Sequence, residues 1–324
     1  MQHPSIVVTA DVASNFDRRL DMRKIIMVFS TKLRYRTVPY LLLFPSMLLI
    51  GVFKVYPILY SIFESFFKSG KGGVKSFVGL SNYLIVLSEP TFANSLKITL
   101  WFCLITTTIQ IVLALALALF VNKSSLFVRI SRTLIYIPVS ISMVIACTIW
   151  SMFFNPSIGI FNTLLDSMGL PKQLWLSSPN QALYVILFIC SWKGISYWMM
   201  FLLAGLQNIS MDIFEAARLD GARYLRVLFQ ITIPMLKNAL IFVIVSDSLI
   251  NIFMFVPVYL LTNGGPSMST DTLMYEAYRS AFSYGNYPRA YVLVTIMLFI
   301  AIVIAVIQLN LTRERTQFSS WRSR

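Results

Sequence analysis

Charge is scarce in this chain, and so are the residues with which soluble enzymes do chemistry. Only 12% of its 324 residues are Asp, Glu, Lys or Arg, against 57% hydrophobic. With a mean hydropathy of +0.73 and six apolar runs of spanning length, an ordinary soluble domain is excluded. The one histidine is His3, and no cysteine and histidine spacing suits a metal, so no metal site is expected. No G-x-x-x-x-G-K-[ST] phosphate loop occurs, and its nearest fragment, Gly70-Lys71-Gly72-Gly73, lacks the frame. Catalytic residues are therefore none, and no cofactor is expected in this chain. Cys103, Cys147 and Cys190 all fall within apolar runs, which excludes a disulfide framework outside the membrane and reads as packing. No internal repeat or low-complexity tract breaks the chain. An ion-gradient transporter built on inverted repeats and carboxylate relays has no mark here.

What is present is an all-α polytopic membrane protein with six spans: Val38 to about Phe66, Ile98 to Val121, Leu134 to Phe154, Ala182 to Leu206, Ala239 to Leu261 and Tyr291 to Leu311. The first is the least regular. Pro45, Pro57, Lys54 and Glu64 interrupt it, which predicts a kinked or tilted helix. With the N-terminus inside, 18 of the 27 Lys and Arg residues lie on the cytoplasmic side and 7 outside. That bias places both termini in the cytoplasm. The domains are then a tail at 1–37, a transmembrane domain at 38–311 holding a cytoplasmic loop at 207–238, and a tail at 312–324. The net charge of +14 is that of loops fixing topology and meeting anionic headgroups, so nucleic acid is not an expected partner. In the first tail, Ile25 to Phe29 is too short for a signal-peptide core, and translation is equally compatible with a start at Met1, Met22 or Met27.

The segment Glu215 to Pro234, EAARLDGARYLRVLFQITIP, lies in the loop at 207–238. Ser210 and Asp212 supply capping chemistry ahead of it, and Glu215, Ala216 and Ala217 open a short helix. Asp220 and Gly221 make a turn at which glycine takes positive φ freely. Tyr224, Leu225, Leu228 and Phe229 recur at helical spacing up to the breaker Pro234, which predicts a second short helix. Two short helices joined at a glycine on the cytosolic surface form a knob suited to another protein's groove.

Ionisable and polar groups within spans are costly and face a cavity or a partner. Lys193 and Tyr197 share a face of the fourth span, with Gly194 permitting close approach, and Asp247 with Asn251 does the same in the fifth. Lys193 and Asp247 suit an interhelical ion pair as well as they suit substrate contact. A sharper expectation is that Lys193 reads a carboxylate or phosphate on the transported molecule. The external stretch Asn263 to Arg289, with Tyr275, Tyr278 and Tyr284, suits contact with a binding protein or a lid over the external mouth. Trp101, Trp150, Trp192 and Trp198 read as core, lipid-facing or interfacial aromatics.

Glu215-Ala216-Ala217, then Asp220-Gly221-Ala222, then Ile231, Ile233 and Pro234 resemble, in full spacing, the EAA loop of the membrane subunits of bacterial ATP-binding-cassette importers. Ile233 stands where leucine is usual. Phe77-Val78-Gly79-Leu80-Ser81-Asn82-Tyr83, Leu261-Thr262-Asn263-Gly264-Gly265-Pro266 and Trp192-Lys193-Gly194 narrow the likeness to carbohydrate permeases of the maltose, raffinose and glycerol-3-phosphate type, over roughly Pro39 to Leu311. The resemblance implies a type I importer permease in the bacterial cytoplasmic membrane. Its partners would be a second homologous permease, two ATPase subunits that bind ATP and Mg, and an extracytoplasmic binding protein that delivers a sugar. It further implies that Glu215 pairs with a basic residue of the ATPase, that Tyr224, Leu225 and Leu228 fill the ATPase groove, and that Gly194, Tyr197, Asp247 and Asn251 line the sugar path beside Lys193. A non-sugar solute such as a polyamine or phosphate is the alternative cargo.

Overall fold

A computed structural model describes residues 40–69, 75–123 and 125–313. Expectations for the two tails and for the Gly70-Lys71-Gly72-Gly73 fragment lie outside these residues. The chain divides after Tyr60 into two units. Helix α1, Tyr40–Glu64, carries a π turn at Gly51–Val55, closed by the Tyr56 amide on the Gly51 carbonyl. Pro57 explains its position, because a proline offers no N–H to the preceding turn and its ring crowds the carbonyl four residues back.

In the second unit, β1 (Phe67–Ser69) and β2 (Lys75–Phe77) pair antiparallel with Phe67 opposite Phe77. This small hairpin departs from the all-α expectation. Lys75 holds it to Glu64 at 2.5 Å. After α2 (Ser81–Leu87), α3 runs from Pro90 to Phe120, starting well before the expected Ile98. Pro90 sits at its first turn, where the missing N–H costs nothing.

The third expected span is not one helix. α4 (Leu126–Ser140) and α5 (Met143–Phe153) are bent by 97° at Ile141 and Ser142. Pro138 weakens the last turn of α4, Ile141 is extended, and the Ser142 hydroxyl starts α5 by accepting from the Ile145 amide at 3.3 Å. The short α6 (Ile160–Ser167) leads to α7 (Ala182–Gln207). The segment whose resemblance implies ATPase coupling comprises α8 (Met211–Leu219) and α9 (Tyr224–Val227), the latter prolonged by a π turn at Leu228–Thr232 and by Ile233–Met235. Pro234 therefore does not end the second short helix as expected, since the π turn takes up its missing N–H. The fifth span is α10 (Lys237–Ile252) followed by α11 (Val256–Leu261), with Pro257 at the restart. α12 (Leu273–Tyr278) and α13 (Tyr287–Arg313) complete the chain. Among the described residues there are five helices long and apolar enough to cross a membrane, or six with the bent pair taken as one span.

α3 lies along α7, and Ala114 and Ala118, both fully buried, let the two backbones approach while Trp198, Leu202 and Leu206 fill the seam. At the opposite end of the helices the stretch between α11 and α13 is packed inward, not draped as a free loop. Tyr275, Asp271 and Glu276 are buried. Arg279 binds Asp271 at 2.7 Å and also Glu276, while Arg289 reaches Glu276 at 2.5 Å and Glu89 at 2.7 Å. Tyr284 remains exposed. Burial first, and then the charge of Glu276, push the Asp271 carboxyl up to about 7.

Candidate functional site

Between α3, α7 and α10 lies a cavity of about 400 Å³, within the range of small-molecule sites. Lys193, Gly194, Tyr197, Asp247 and Asn251 all line it, together with Gln110, Trp198 and the turn Phe253 to Pro257. The two faces read from the sequence thus meet across one space. The two charges within it do not meet, for no ion pair joins Lys193 to Asp247 among the described residues.

Lys193 is engaged elsewhere. Its Nζ donates to the carbonyls of Pro138 at 2.8 Å and Val139 at 3.4 Å, and to that of Ile141. They lie where α4 ends, a place where helical carbonyls run short of partners, although the Pro138 carbonyl also accepts from the Ile141 amide at 3.4 Å. An ammonium has three donors, and three acceptors take them. A cation at a helix C-terminus is also favoured by the helix dipole. Within a bilayer an unsatisfied carbonyl costs several kcal/mol, so the lysine is what allows the third span to break there.

Asp247, 1% exposed, is held by neutral donors. Trp198 Nε1 donates to Oδ1 at 2.6 Å and Asn251 Nδ2 to Oδ2 at 2.9 Å. Asn251 Nδ2 also reaches Thr107 Oγ1 at 3.0 Å. The network ties α7, α10 and α3 together at the cavity wall. Tyr197 is partly exposed there and packs edge-on against Trp198, with ring centroids 4.8 Å apart.

Gln110, Trp198 and Thr107 are site residues that sequence reasoning passed over. Gln110 Nε2 donates to the Cys190 carbonyl at 3.2 Å, while its Oε1 is buried without a partner. A Cβ on Gly194 would stand 2.2 Å from that Oε1. Close approach at Gly194 is therefore approach by Gln110. The available signal was a lone amide in an apolar run, the same signal that singled out Asn251.

At the other end, the coupling segment has the expected helix, glycine turn and helix. Ser210 Oγ accepts from the Asp212 amide at 3.3 Å. Gly221 has φ +70°, and the Ala222 amide reaches the Ala217 carbonyl at 3.0 Å while the Gly221 amide reaches Arg218 at 3.0 Å. That pair of bonds is a Schellman stop. Glu215, Ala216, Asp220, Tyr224, Leu225 and Pro234 are exposed, Ala217 is buried, and Leu228 and Ile231 are half-buried. Leu219 and Phe229 belong to the exposed apolar surface too. Such a patch, rimmed by Glu215, Arg218 and Arg226, is built to be covered.

The sequence model of the inner membrane component of binding-protein-dependent transport systems matches residues 110–316. Over 286 residues the chain is 32% identical to the sn-glycerol-3-phosphate transport system permease protein UgpA of Brucella abortus, covering 88% of this chain and 97% of that one. It is 31% identical over 261 residues to the trehalose/maltose transport system permease protein MalF of Thermococcus litoralis, covering 80% and 88%. A chain of a bacterial ABC transporter involved in the import of the acidic polysaccharide alginate has the same fold, with a TM-score of 0.78 over 88% of this chain and 98% of that chain at 22% identity.

Proposed function

Because the chain belongs to the family of inner membrane components of binding-protein-dependent transport systems, we propose that it forms half of the path by which an ATP-binding-cassette importer carries a sugar or oligosaccharide. A second permease completes the path, a binding protein delivers the cargo from outside, and two ATPase subunits dock on the coupling segment and supply ATP hydrolysis. In this reading α1, α3, the α4–α5 pair, α7, α10–α11 and α13 are six crossings of the bacterial cytoplasmic membrane, with both termini inside.

The observation that carries the proposal is the largely apolar cavity with a few converging polar groups on the two helices that flank the coupling segment. α7 enters that segment at Gln207 and α10 leaves it at Lys237. Displacement of α8 and α9 by an ATPase is therefore delivered to the helices that carry Tyr197 and Asn251. An aromatic ring and a planar amide are what a sugar needs for stacking and hydroxyl recognition. Sugar and glycerol-phosphate permeases among the relatives support this cargo class. Lys193, occupied by the α4 carbonyls, serves as a strut at this level, so the inner cavity reads neutral hydroxyls.

The test is ATP-driven uptake into proteoliposomes holding the purified complex and its binding protein. Tyr197→Ala and Asn251→Ala should each raise the sugar KM roughly tenfold, the loss of one buried polar or stacking contact, with assembly intact. Uptake that ignores both substitutions would overturn the assignment of the cavity. A polyamine or phosphate competing where no sugar does would favour the alternative cargo.

A further inference from the structure

A second cavity, of about 540 Å³, opens at the end of the bundle opposite the coupling segment. α3 contributes Asn94, Lys97 and Trp101 to it, at helical spacing on one face, the turn before α7 contributes Asn180 and the first turn of α7 contributes Tyr184. Ser269, from the inward-packed stretch, closes it, and its Oγ is buried with no hydrogen-bond partner. Lys97 makes no ion pair among the described residues. Trp101 and Tyr184 meet edge to face at 5.5 Å. The Asn94 amide is fixed by donating to the Met268 carbonyl at 3.1 Å, which leaves it a second N–H.

The inner and outer cavities share two walls. Gln110 stands about 20 Å further along α3 than Lys97, at about 1.5 Å per residue. Between them is a packed apolar layer that includes Phe102, Leu187, Met254 and Val258, with Ile105 packed against that cluster. A molecule in the outer cavity is thus stopped one layer short of the inner one.

We propose that the outer cavity is a waiting site for one ring of the transported saccharide. Trp101 and Tyr184 supply stacking faces, Asn94, Asn180 and Ser269 bind hydroxyls, and Lys97 binds an acidic substituent. The chemistry is that of a saccharide site, with aromatic faces, planar amides and a hydroxyl converging on one space. Lys97, unlike Lys193, has its charge available, so discrimination of acidic from neutral sugars belongs here. This rests on the reading of the chain as a sugar permease.

The experiment is titration calorimetry of trigalacturonate and maltotriose into the assembled complex, without binding protein, in phosphatidylcholine nanodiscs. The wild type should bind trigalacturonate more tightly. Lys97→Met should weaken it roughly tenfold or more, the scale of a lost charge-assisted hydrogen bond, with maltotriose unchanged. Lys97→Arg should restore it, and Trp101→Leu should weaken both. Tyr197→Ala should leave the acidic preference standing. Equal binding of the two sugars by the wild type, or a preference indifferent to Lys97→Met, overturns the proposal. So does a Lys97 effect that emerges only when phosphatidylglycerol is added, which marks a lipid headgroup site. If saccharides stimulate ATP hydrolysis in the complex yet Lys97 is silent, the waiting site alone fails. If no saccharide binds or stimulates, the sugar reading fails with it.

Discussion

Gly194 has no side chain because Gln110 occupies that space. Gly194→Ala would place a Cβ 2.2 Å from Gln110 Oε1, an overpacking that costs about 1–3 kcal/mol. Thermal unfolding should show the loss, and Gln110→Ala in the same chain should recover most of it; a double variant no better than the single would refute the contact. Lys193→Met removes the donor that three carbonyls at the end of α4 share, so the melting temperature should fall whatever the charge of the cargo, with partial recovery in Lys193→Arg. Stability unchanged in Lys193→Met would restore the lysine to substrate duty. Asp271 makes a pH prediction. Its carboxyl stands at about 7 in the fold against 3.8 ordinarily, so between those values the folded chain keeps a proton that the unfolded chain has released. The contribution is fully present below about pH 4 and is lost as pH rises through about 7. Melting curves from about pH 5 to 8 should therefore decline more steeply for the wild type than for Asp271→Asn, and parallel curves would refute the assignment. Single residues were legible where a polar group interrupts an apolar run, as at Lys193, Asp247 and Asn251. Their partners were not. Nothing local in the sequence tells Lys193 that its acceptors are main-chain carbonyls 52 to 55 positions away, or sets Trp198 against Asp247.

The apolar helices were legible in place and imperfect in form. Composition over a window finds an apolar run and is blind to direction, so Leu134 to Phe154 reads as one span although the chain turns by 97° inside it. Pro138 and Ser142 were the available signs, a lost donor followed by an N-cap. The inward packing from Asn263 to Arg289 was missed because a polar stretch between apolar runs looks like a loop until Arg279 and Arg289 are seen to pair with Asp271 and Glu276. The coupling segment was the most legible element, since its stop depends on local chemistry: a cap at Ser210, a glycine at φ +70°, a fresh helix at Tyr224. Its exposed face makes a prediction of its own. Leu225→Asp, at 64% exposure, should leave the isolated subunit's stability within about 0.5 kcal/mol of wild type while releasing the ATPase subunits on size-exclusion chromatography. Retained ATPase would show that α9 is not the docking face.

Taken whole, the molecule joins two ends by two helices. α7 and α10 carry the inner cavity on one side and flank the α8–α9 knob on the other, and α3 and α7 continue away from that knob to the second cavity. Force applied at Gly221 and its neighbours therefore has a rigid route to Tyr197 and Asn251. Fold and class could be read from hydropathy, charge bias and one twenty-residue pattern. The cavities required the pairing of helices that lie far apart in sequence. The most direct measurement replaces Gly221 with Val, where positive φ costs a β-branched residue about 1–3 kcal/mol, and follows ATP hydrolysis and sugar uptake together in proteoliposomes with a loaded binding protein. Coupling through the knob predicts that both fall in parallel, by roughly tenfold or more, in a subunit that still inserts and assembles. Undiminished uptake, or uptake that follows an ion gradient and persists without the ATPase, would contradict it.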